Sequence, residues 1–206
     1  MIKITTSDEI AIFFGAFSHA KVIVLIFLIG ILVKELKLNF VRRYFLEAIM
    51  VLLFSIIFNL ALKYSFAIPL PEERFGKDAF AFPSGHMHSA IAFYGWLALR
   101  YKSRMLYALV AVLWIGIIFG MLHFQYHEMR DIYGAFFFGS ILLACYSYIL
   151  KNHYSKVSYI VHICTAFLMI YIYFIHEGVI IPITWLAFVG ANIMIILMKK
   201  LYPKLQ

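Results

Sequence analysis

Long apolar segments separated by short polar connections constrain the fold of this chain more than any other feature of its sequence. The segments are about 15 to 24 residues long, close to the ~20 residues that an α-helix needs to cross the hydrocarbon core of a membrane. Of the 206 residues, 65% are hydrophobic and only 14% are charged, and the mean hydropathy is +0.92. The pattern predicts an all-α, polytopic bundle of about six to seven membrane helices. Residues 1–206 are expected to form a single integral-membrane domain.

The predicted helical segments are Ile10–Val33, Phe45–Leu62, Gly85–Leu99, Met105–Phe124, Asp131–Leu150, Val157–Ile175 and Val179–Met198. The first follows Thr6-x-x-Glu9, which has the spacing of a helix capping box. It is interrupted by His19 and Lys21, and its first half is alternatively an interfacial helix. The longest polar connection is Lys63–Ser84, between the second and third segments.

Basic residues are divided unequally between the two ends of the predicted helices. Alternate connections share a side of the membrane, and one side holds twelve of the eighteen lysines and arginines with only two acids, Glu35 and Glu47. The positive-inside rule makes that side cytoplasmic. We therefore expect a multi-pass protein of the cell (inner) membrane, with the connections around His86 and Asp131 facing the periplasm or exterior. The net charge of +8 does not indicate nucleic-acid binding, because the cations of a membrane protein usually cluster in its cytoplasmic connections.

A short motif ends the long polar connection. Pro83 and Gly85 are turn residues, Ser84 is a good helix N-cap, and His86 falls in the first turn of the helix that follows. A helix start offers unpaired backbone N–H groups and a partial positive charge, so it can bind an anion. A histidine at this place can move a proton beside the bound anion.

His123, His127 and Asp131 form a second group of ionisable residues on the predicted outer side. They are spaced four residues apart, so in an unbroken helix they share a face and Asp131 can hydrogen-bond His127. A carboxylate that fixes the tautomer of a histidine prepares it to act as a nucleophile or base. Ionisable groups at membrane depth are costly and usually functional, which favours a shared site with His86.

The two groups resemble the signatures of the type 2 phosphatidic acid phosphatase superfamily of membrane phosphatases and phosphotransferases. That family shows Lys-x6-Arg-Pro, then Pro-Ser-Gly-His, then Ser-Arg-x5-His-x3-Asp. The second signature is matched completely by Pro83–His86, and the end of the third by His127 and Asp131. The first is matched by Lys63 and Pro71 only. The resemblance covers residues 63–139.

Two places depart from the family's pattern. Leu70 stands where the family has arginine, and Gly120-Met121 stand where it has Ser-Arg. Leucine and methionine do not replace a guanidinium that binds phosphate through two parallel hydrogen bonds. The nearby cationic residues that can bind phosphate instead are Arg74, Lys77, Arg130 and His123.

The resemblance implies a mechanism that uses neither a metal nor a cofactor. In it His127 attacks phosphorus and forms a phosphohistidine, Asp131 orients His127, and His86 protonates the departing oxygen and then activates water. The implied substrate is a lipid phosphate among the membrane lipids, and the oligomeric state is left open. The residues expected to hold the phosphoryl oxygens are Lys63, the backbone N–H groups of Ser84 and Gly85, and the side chains of Arg130, Arg74 and His123.

Four functions are open at this point. The first is a lipid phosphatase, and the second is a lipid head-group phosphotransferase of the same fold, which Leu70 and Met121 favour. The third is a catalytically weakened relative that binds or moves lipid. The fourth is a metal oxidase or hydroxylase, suggested by four outer histidines, which are His86, His88, His123 and His127. Cys145 and Cys164 indicate neither a disulfide framework nor a CxxC metal motif.

Overall fold

The computed structural model describes residues 5–19, 22–23, 25–26, 39–70, 80–152, 156–175, 185–190, 192–193 and 196. Over these residues the chain is helical without a β-strand, which confirms the all-α prediction; Pro69 and Phe80 form one isolated bridge. Residues 185–190 are also helical. The helices with defined bounds are α1 Thr6–Ala16, α2 Asn39–Phe66, α3 Gly85–Ala90, a π-helical turn Ile91–Gly95, α4 Trp96–Tyr101, α5 Arg104–His123, α6 Met129–Asn152 and α7 Val157–Ile175.

Within the described residues, three helices are long and apolar enough to cross a membrane, namely Arg43–Phe66 within α2, all of α5 and all of α6. A shorter apolar stretch, Tyr159–Ile175, lies in α7. Large apolar side chains of α5 and α7 are exposed, as is typical of helices surrounded by lipid. The described helices are therefore compatible with a membrane protein, and the count of six to seven spans stays a prediction. The seventh predicted segment, Val179–Met198, lies largely outside the described residues.

The core lies where the helical run from residue 85 to residue 101 is enclosed by α2, α5 and α6. Phe93 and Trp96 are its largest fully buried side chains. Close approach depends on small residues, because a Cβ atom added to Gly139 of α6 would lie 2.9 Å from Ile91 Cγ2. The predicted segment Gly85–Leu99 is helical as expected, but the π-helical turn divides it. Since residues 90–99 are almost uniformly apolar, their pattern could not indicate this change of pitch.

The first predicted segment, Ile10–Val33, is not one continuous helix. α1 ends at Ala16, and Ser18 then donates its hydroxyl hydrogen bond to the Gly15 carbonyl at 2.7 Å, within a turn that leads to His19. The same carbonyl accepts the Ser18 backbone N–H at 3.0 Å, so Ser18 closes the end of α1 with both its main chain and its side chain. A helix that continues unbroken through residues 17–19 is therefore wrong, whereas the alternative of an interfacial helix in the first half of the segment stays a prediction.

The helix cap of α1 lies one residue earlier than predicted. Thr5 Oγ1 accepts a hydrogen bond from the Asp8 backbone N–H at 3.3 Å, and Asp8 Oδ2 accepts one from the Thr5 N–H at 2.8 Å. The predicted pair was Thr6 and Glu9. Threonine followed three residues later by an acid occurs in both registers, so the sequence pattern alone does not separate them.

A buried ion cluster ties α2 to α4 at the end of the bundle where basic residues are frequent. The Glu47 carboxylate is fully buried, with its oxygens 2.9 Å from Arg43 Nε and 2.8 Å from Arg100 Nε. The Arg100 guanidinium also lies 4.5 Å from the centre of the Tyr44 ring. Glu47 and Lys63 are about 24 Å apart along α2, at ~1.5 Å per residue. The cluster is therefore remote from the motif residues.

Candidate functional site

Ser84 anchors the motif at the start of α3. Its hydroxyl accepts a hydrogen bond from the Met87 N–H at 3.4 Å, as an N-cap does, and lies 3.2 Å from the Met121 sulfur. Its own N–H donates to the Asp131 backbone carbonyl at 3.0 Å. The expectation that the Ser84 N–H holds a phosphoryl oxygen is therefore corrected. Ser84 is completely buried and joins the start of α3 to α6.

The residues before Ser84 are held by α2 and α6. Asn59 of α2 donates its amide hydrogen bond to the Pro83 carbonyl at 3.3 Å. The Phe82 ring packs edge-on against Phe66, with ring centroids 4.9 Å apart, and it covers Gly134 of α6. A Cβ atom at Gly134 would lie only 2.2 Å from Phe82, so this contact requires glycine. The motif is thus fixed from two sides before the helix begins.

His86 and His127 face one cavity of about 460 Å³, with their ring centroids 6.5 Å apart. This volume is within the ~300–1,000 Å³ typical of ligand sites. Gly85, Lys63 and Asn59 also line the cavity. The structure therefore brings together His86, His127, Gly85 and Lys63, four of the residues that the sequence assigned to one site.

Asp131 holds His127, although the helix expected to align them is broken. α5 ends at His123 and α6 begins at Met129, so His127 lies in the connection between them. The His127 Nδ1 atom is 3.3 Å from Asp131 Oδ2, and the same oxygen accepts the Glu128 N–H at 3.0 Å. The expected contact is present because Asp131 occupies the first turn of α6 and reaches back over its N-terminus.

The environment of His127 favours a neutral imidazole. Burial and the nearby Lys63 ammonium lower the pKa of His127 from its usual value, while the Asp131 carboxylate opposes them without reversing the shift. With Nδ1 directed to Asp131, the other ring nitrogen, Nε2, is the atom available for attack on an electrophile. A histidine in this state can act as a nucleophile near neutral pH.

Lys63 reaches the cavity from the last turn of α2. Its ammonium donates hydrogen bonds to the Phe80 carbonyl and, at 3.5 Å, to the Ala81 carbonyl. An ammonium group has three N–H donors, so one remains for a ligand in the cavity. Lys63 therefore both closes the polar connection onto α2 and offers positive charge to the site.

Other predicted phosphate-binding residues lie elsewhere. His123 Nε2 is 2.7 Å from Asp8 Oδ1, and this hydrogen bond contributes most to lowering the pKa of Asp8 to about 2. Because α5 ends at His123, this side chain turns towards α1 and does not share a face with His127. Arg130 is half exposed, and its Nε lies 3.6 Å from Asp131 Oδ1. Neither His123 nor Arg130 lines the cavity, and Arg74 lies outside the described residues.

A second cavity of about 430 Å³ adjoins the first and is lined by fewer polar side chains. The two share His86, His19, Ser18 and Tyr126, and the second is lined mainly by α1 and α5. Leu70 lines the first cavity and Met121 the second. At both positions where the resemblance predicts an arginine, the side chain therefore lines a cavity but is apolar.

His19 is a cavity residue for which the sequence predicted no function. It lines both cavities, and its ring meets the His86 ring edge-on with centroids 5.1 Å apart. In the sequence it is only a polar interruption of an apolar segment. The neighbouring Ser18 and Lys21 were a signal that the helix stops here, but nothing local connects this turn with residues more than sixty positions later.

The four outer histidines do not converge on one point. His88 is fully buried and its Nδ1 lies 2.7 Å from Ser55 Oγ, whereas His123 is bound to Asp8. In the part of the chain that the structure describes, no group of three or more His, Cys, Asp or Glu side chains is arranged to hold a metal ion. Comparisons of the chain with protein-family models, curated proteins and solved structures find no match.

Proposed function

We propose that this protein is a membrane lipid phosphatase. It removes a phosphate from a lipid phosphate or pyrophosphate on the extracytoplasmic face, through a phosphohistidine at His127. The observation that carries the proposal is the pairing of two histidines across one cavity. His86 stands at a helix start, His127 is held by Asp131, and their ring centroids are 6.5 Å apart.

The chemistry requires two steps. In the first, His127 Nε2 attacks phosphorus, the bond from phosphorus to the lipid oxygen breaks, and His86 gives that oxygen a proton. In the second, His86 takes a proton from water, whose oxygen attacks the phosphohistidine and releases inorganic phosphate. Asp131 stabilises the charge on His127, and Lys63 and the Gly85 N–H interact with the phosphoryl oxygens.

An apolar substrate tail is supported by the second cavity. Its walls include Ala11, Gly15 and Ala16 of α1 and Phe124 after α5, and it adjoins the first cavity at His86. A molecule with a phosphate beside His127 and a hydrocarbon chain against α1 fits both environments. Most ligand sites are likewise apolar with a few placed polar groups.

The proposed sidedness rests on the distribution of charge. The Arg43–Glu47–Arg100 cluster lies near the basic connections, and the histidine cavity lies at the far end of α2. The positive-inside rule assigns the basic end to the cytoplasm of the cell (inner) membrane. The cavity then opens towards the periplasm or exterior.

A second candidate is a phosphotransferase that passes the phosphoryl head group from His127 to a lipid alcohol. Leu70 on the cavity wall favours it, because an apolar wall beside the histidines suits a lipid acceptor better than water. The products separate the two reactions. Hydrolysis releases labelled inorganic phosphate, whereas transfer leaves the label on an acceptor lipid when acceptor is abundant.

The function is tested with the purified full-length protein in lipid–detergent micelles. Phosphate release is measured from phosphatidic acid, phosphatidylglycerophosphate, a prenyl pyrophosphate and lipid A. We expect turnover of at least one substrate without added metal, and a loss of about a thousandfold or more in His127→Ala.

The matched control is His162→Ala, the same substitution on α7, where His162 packs against Phe188. It should keep the wild-type rate. The proposal is wrong if no substrate is turned over, or if His127→Ala and His162→Ala behave alike. Lipid binding without turnover and without inhibition by vanadate would identify a non-catalytic lipid-binding protein instead.

A further inference from the structure

His19 belongs to the same cavity as His86 and His127, although it lies in neither motif. It follows α1 in the chain, more than sixty residues before His86. Its side chain is exposed, lines both cavities, and touches the His86 ring at a centroid distance of 5.1 Å with the planes at 86°. Because the side chain is exposed and lines the cavity, a ligand bound there can contact it.

The position of His19 is fixed by the way α1 packs on α5. A Cβ atom at Gly120 would lie 2.8 Å from the Ala11 carbonyl oxygen, so the two helix backbones are in close contact there. The Asp8–His123 contact closes one end of this interface. At the other end, the Tyr94 hydroxyl donates a hydrogen bond of 2.8 Å to the Phe17 carbonyl, two residues before His19. These attachments make His19 part of the site's wall.

The negative charge of the expected ligand requires more than one positively charged or N–H-donating side chain in the cavity. A phosphate monoester carries about −1.5 to −2 charges near pH 7. Among the described residues that line the first cavity, the side chains able to carry positive charge are Lys63, His19, His86 and His127. His127 serves as nucleophile and His86 as proton donor, and Lys63 has two of its N–H groups on backbone carbonyls. Lys63 is therefore left with one N–H for the ligand, and His19 is the other side chain of this set that has no assigned role and can offer an N–H donor.

We propose that His19 is a substrate-binding residue, whose imidazole N–H donates to a phosphoryl oxygen held between His86 and His127. The inference rests on the proposed function, because it takes phosphate as the ligand. It assigns to a histidine of the N-terminal segment the anion binding that the apolar Leu70 and Met121 do not provide.

Two substitutions separate a hydrogen-bond donor from a packing residue. His19→Phe keeps an aromatic edge against His86 and removes the N–H donor. His19→Gln removes the ring and keeps an N–H donor of similar reach. If His19 acts as a donor, His19→Phe should bind the ligand more weakly than His19→Gln, and if it acts only in packing, the order should be reversed. A general loss of structure would not produce the first of these orders.

The probe is orthovanadate, a tetrahedral analogue of phosphate, titrated into the full-length protein by calorimetry in detergent. We expect the wild type to bind vanadate. Binding should be about 10- to 100-fold weaker in His19→Phe, because this variant loses one hydrogen bond to a charged group. His19→Gln should stay within about threefold of wild type, since it keeps a donor. His162→Ala is the control, and thermal unfolding confirms that each variant is folded.

Several outcomes would overturn the inference. They are no binding of vanadate by the wild type, equal binding in all variants, equal loss in both His19 variants, or a larger loss in His19→Gln than in His19→Phe. Lipid phosphate hydrolysis is measured on the same samples. Binding that depends on His19 without any hydrolysis supports the inference and contradicts the proposed function. Hydrolysis together with vanadate binding that is unchanged in the His19 variants supports the proposed function and contradicts the inference about His19.

Discussion

At the scale of single residues, the protonation of His127 decides when the proposed nucleophile is available. Burial and Lys63 lower the pKa of His127, and Asp131 raises it. The usual pKa of histidine is about 6.5, so the net lowering places the acidic limb of kcat/KM below that pH. We expect activity to be lost only as pH falls through the lowered pKa.

Two substitutions should move this limb in opposite directions. Lys63→Gln removes a positive neighbour, so the pKa of His127 rises and the limb moves to higher pH. Asp131→Asn removes the group that favours the cation, so the limb moves to lower pH. The measurement is kcat/KM against pH for the three proteins. Shifts of the same sign, or none, would contradict the assignment of His127 as the titrating nucleophile.

The residues of the site were predictable from sequence only where one short segment contains the whole interaction. The contact between His127 and Asp131 is local, and the start of α3 at Gly85 follows from the turn residues before it. Ser84 was misjudged because the partner of its N–H is a distant carbonyl, that of Asp131. His123 was misjudged because the helix ends there. His19 was missed because its neighbours in space are remote in sequence.

At the scale of elements, the contact between α1 and α5 should be sensitive to one added methyl group. In Gly120→Ala the new Cβ meets the Ala11 carbonyl oxygen at 2.8 Å, so α1 must move away from α5. Overpacking of this kind typically costs about 1–3 kcal/mol of unfolding free energy. Since α1 carries His19, vanadate binding should weaken as well.

Gly15→Ala is the matched control for this contact. Gly15 lies on α1 itself, and a Cβ atom there would meet nothing within 4 Å. Replacing a helical glycine with alanine in free space should stabilise by up to about 1 kcal/mol. Thermal unfolding in detergent distinguishes the two variants. Equal midpoints would show that α1 does not pack on α5 as described.

The ion cluster between α2 and α4 gives a second prediction at this scale. Arg100→Met leaves the buried Glu47 carboxylate with one arginine fewer, and breaking a buried ion pair costs about 3–5 kcal/mol. We expect a clear drop in the unfolding midpoint, partly restored by adding Glu47→Gln, which removes the buried charge.

The neighbouring Lys102→Met serves as the control for Arg100→Met. Lys102 is exposed between α4 and α5, and an exposed substitution is usually within about 0.5 kcal/mol of wild type. If Arg100→Met is no more destabilising than Lys102→Met, the cluster does not hold the helices together.

At the scale of the whole molecule, the proposed sidedness can be read from two tight turns at opposite ends of α5. Lys102 and Gln125 are both exposed and both have positive φ, 50° and 54°, so a cysteine is equally strained at either place. In a background without Cys145 and Cys164, Gln125→Cys should react with a membrane-impermeant maleimide on intact cells. Lys102→Cys should react only after permeabilisation, and the reverse pattern would contradict the proposed orientation.

Hydropathy and charge were sufficient for the class of fold but not for its details. The helices α5, α6 and α7 lie within two residues of their predicted bounds, because each is a long apolar run between polar residues. The prediction of one continuous helix in the first segment was wrong, because a hydropathy pattern does not reveal a turn in which a serine hydroxyl donates a hydrogen bond to the backbone. The π-helical turn at residues 91–95 likewise could not be predicted from an almost uniformly apolar sequence.

In the proposed reaction phosphate is transferred to His127, and rapid quenching detects this transfer. Protein mixed with a ³²P-labelled lipid phosphate is stopped in alkali, digested, and examined by mass spectrometry for a phosphorylated histidine. We expect the label on the peptide that contains His127, more of it in His86→Ala, where hydrolysis of the intermediate is slowed, and none in His127→Ala. Turnover without any label on His127, in wild type and in His86→Ala alike, would contradict the account.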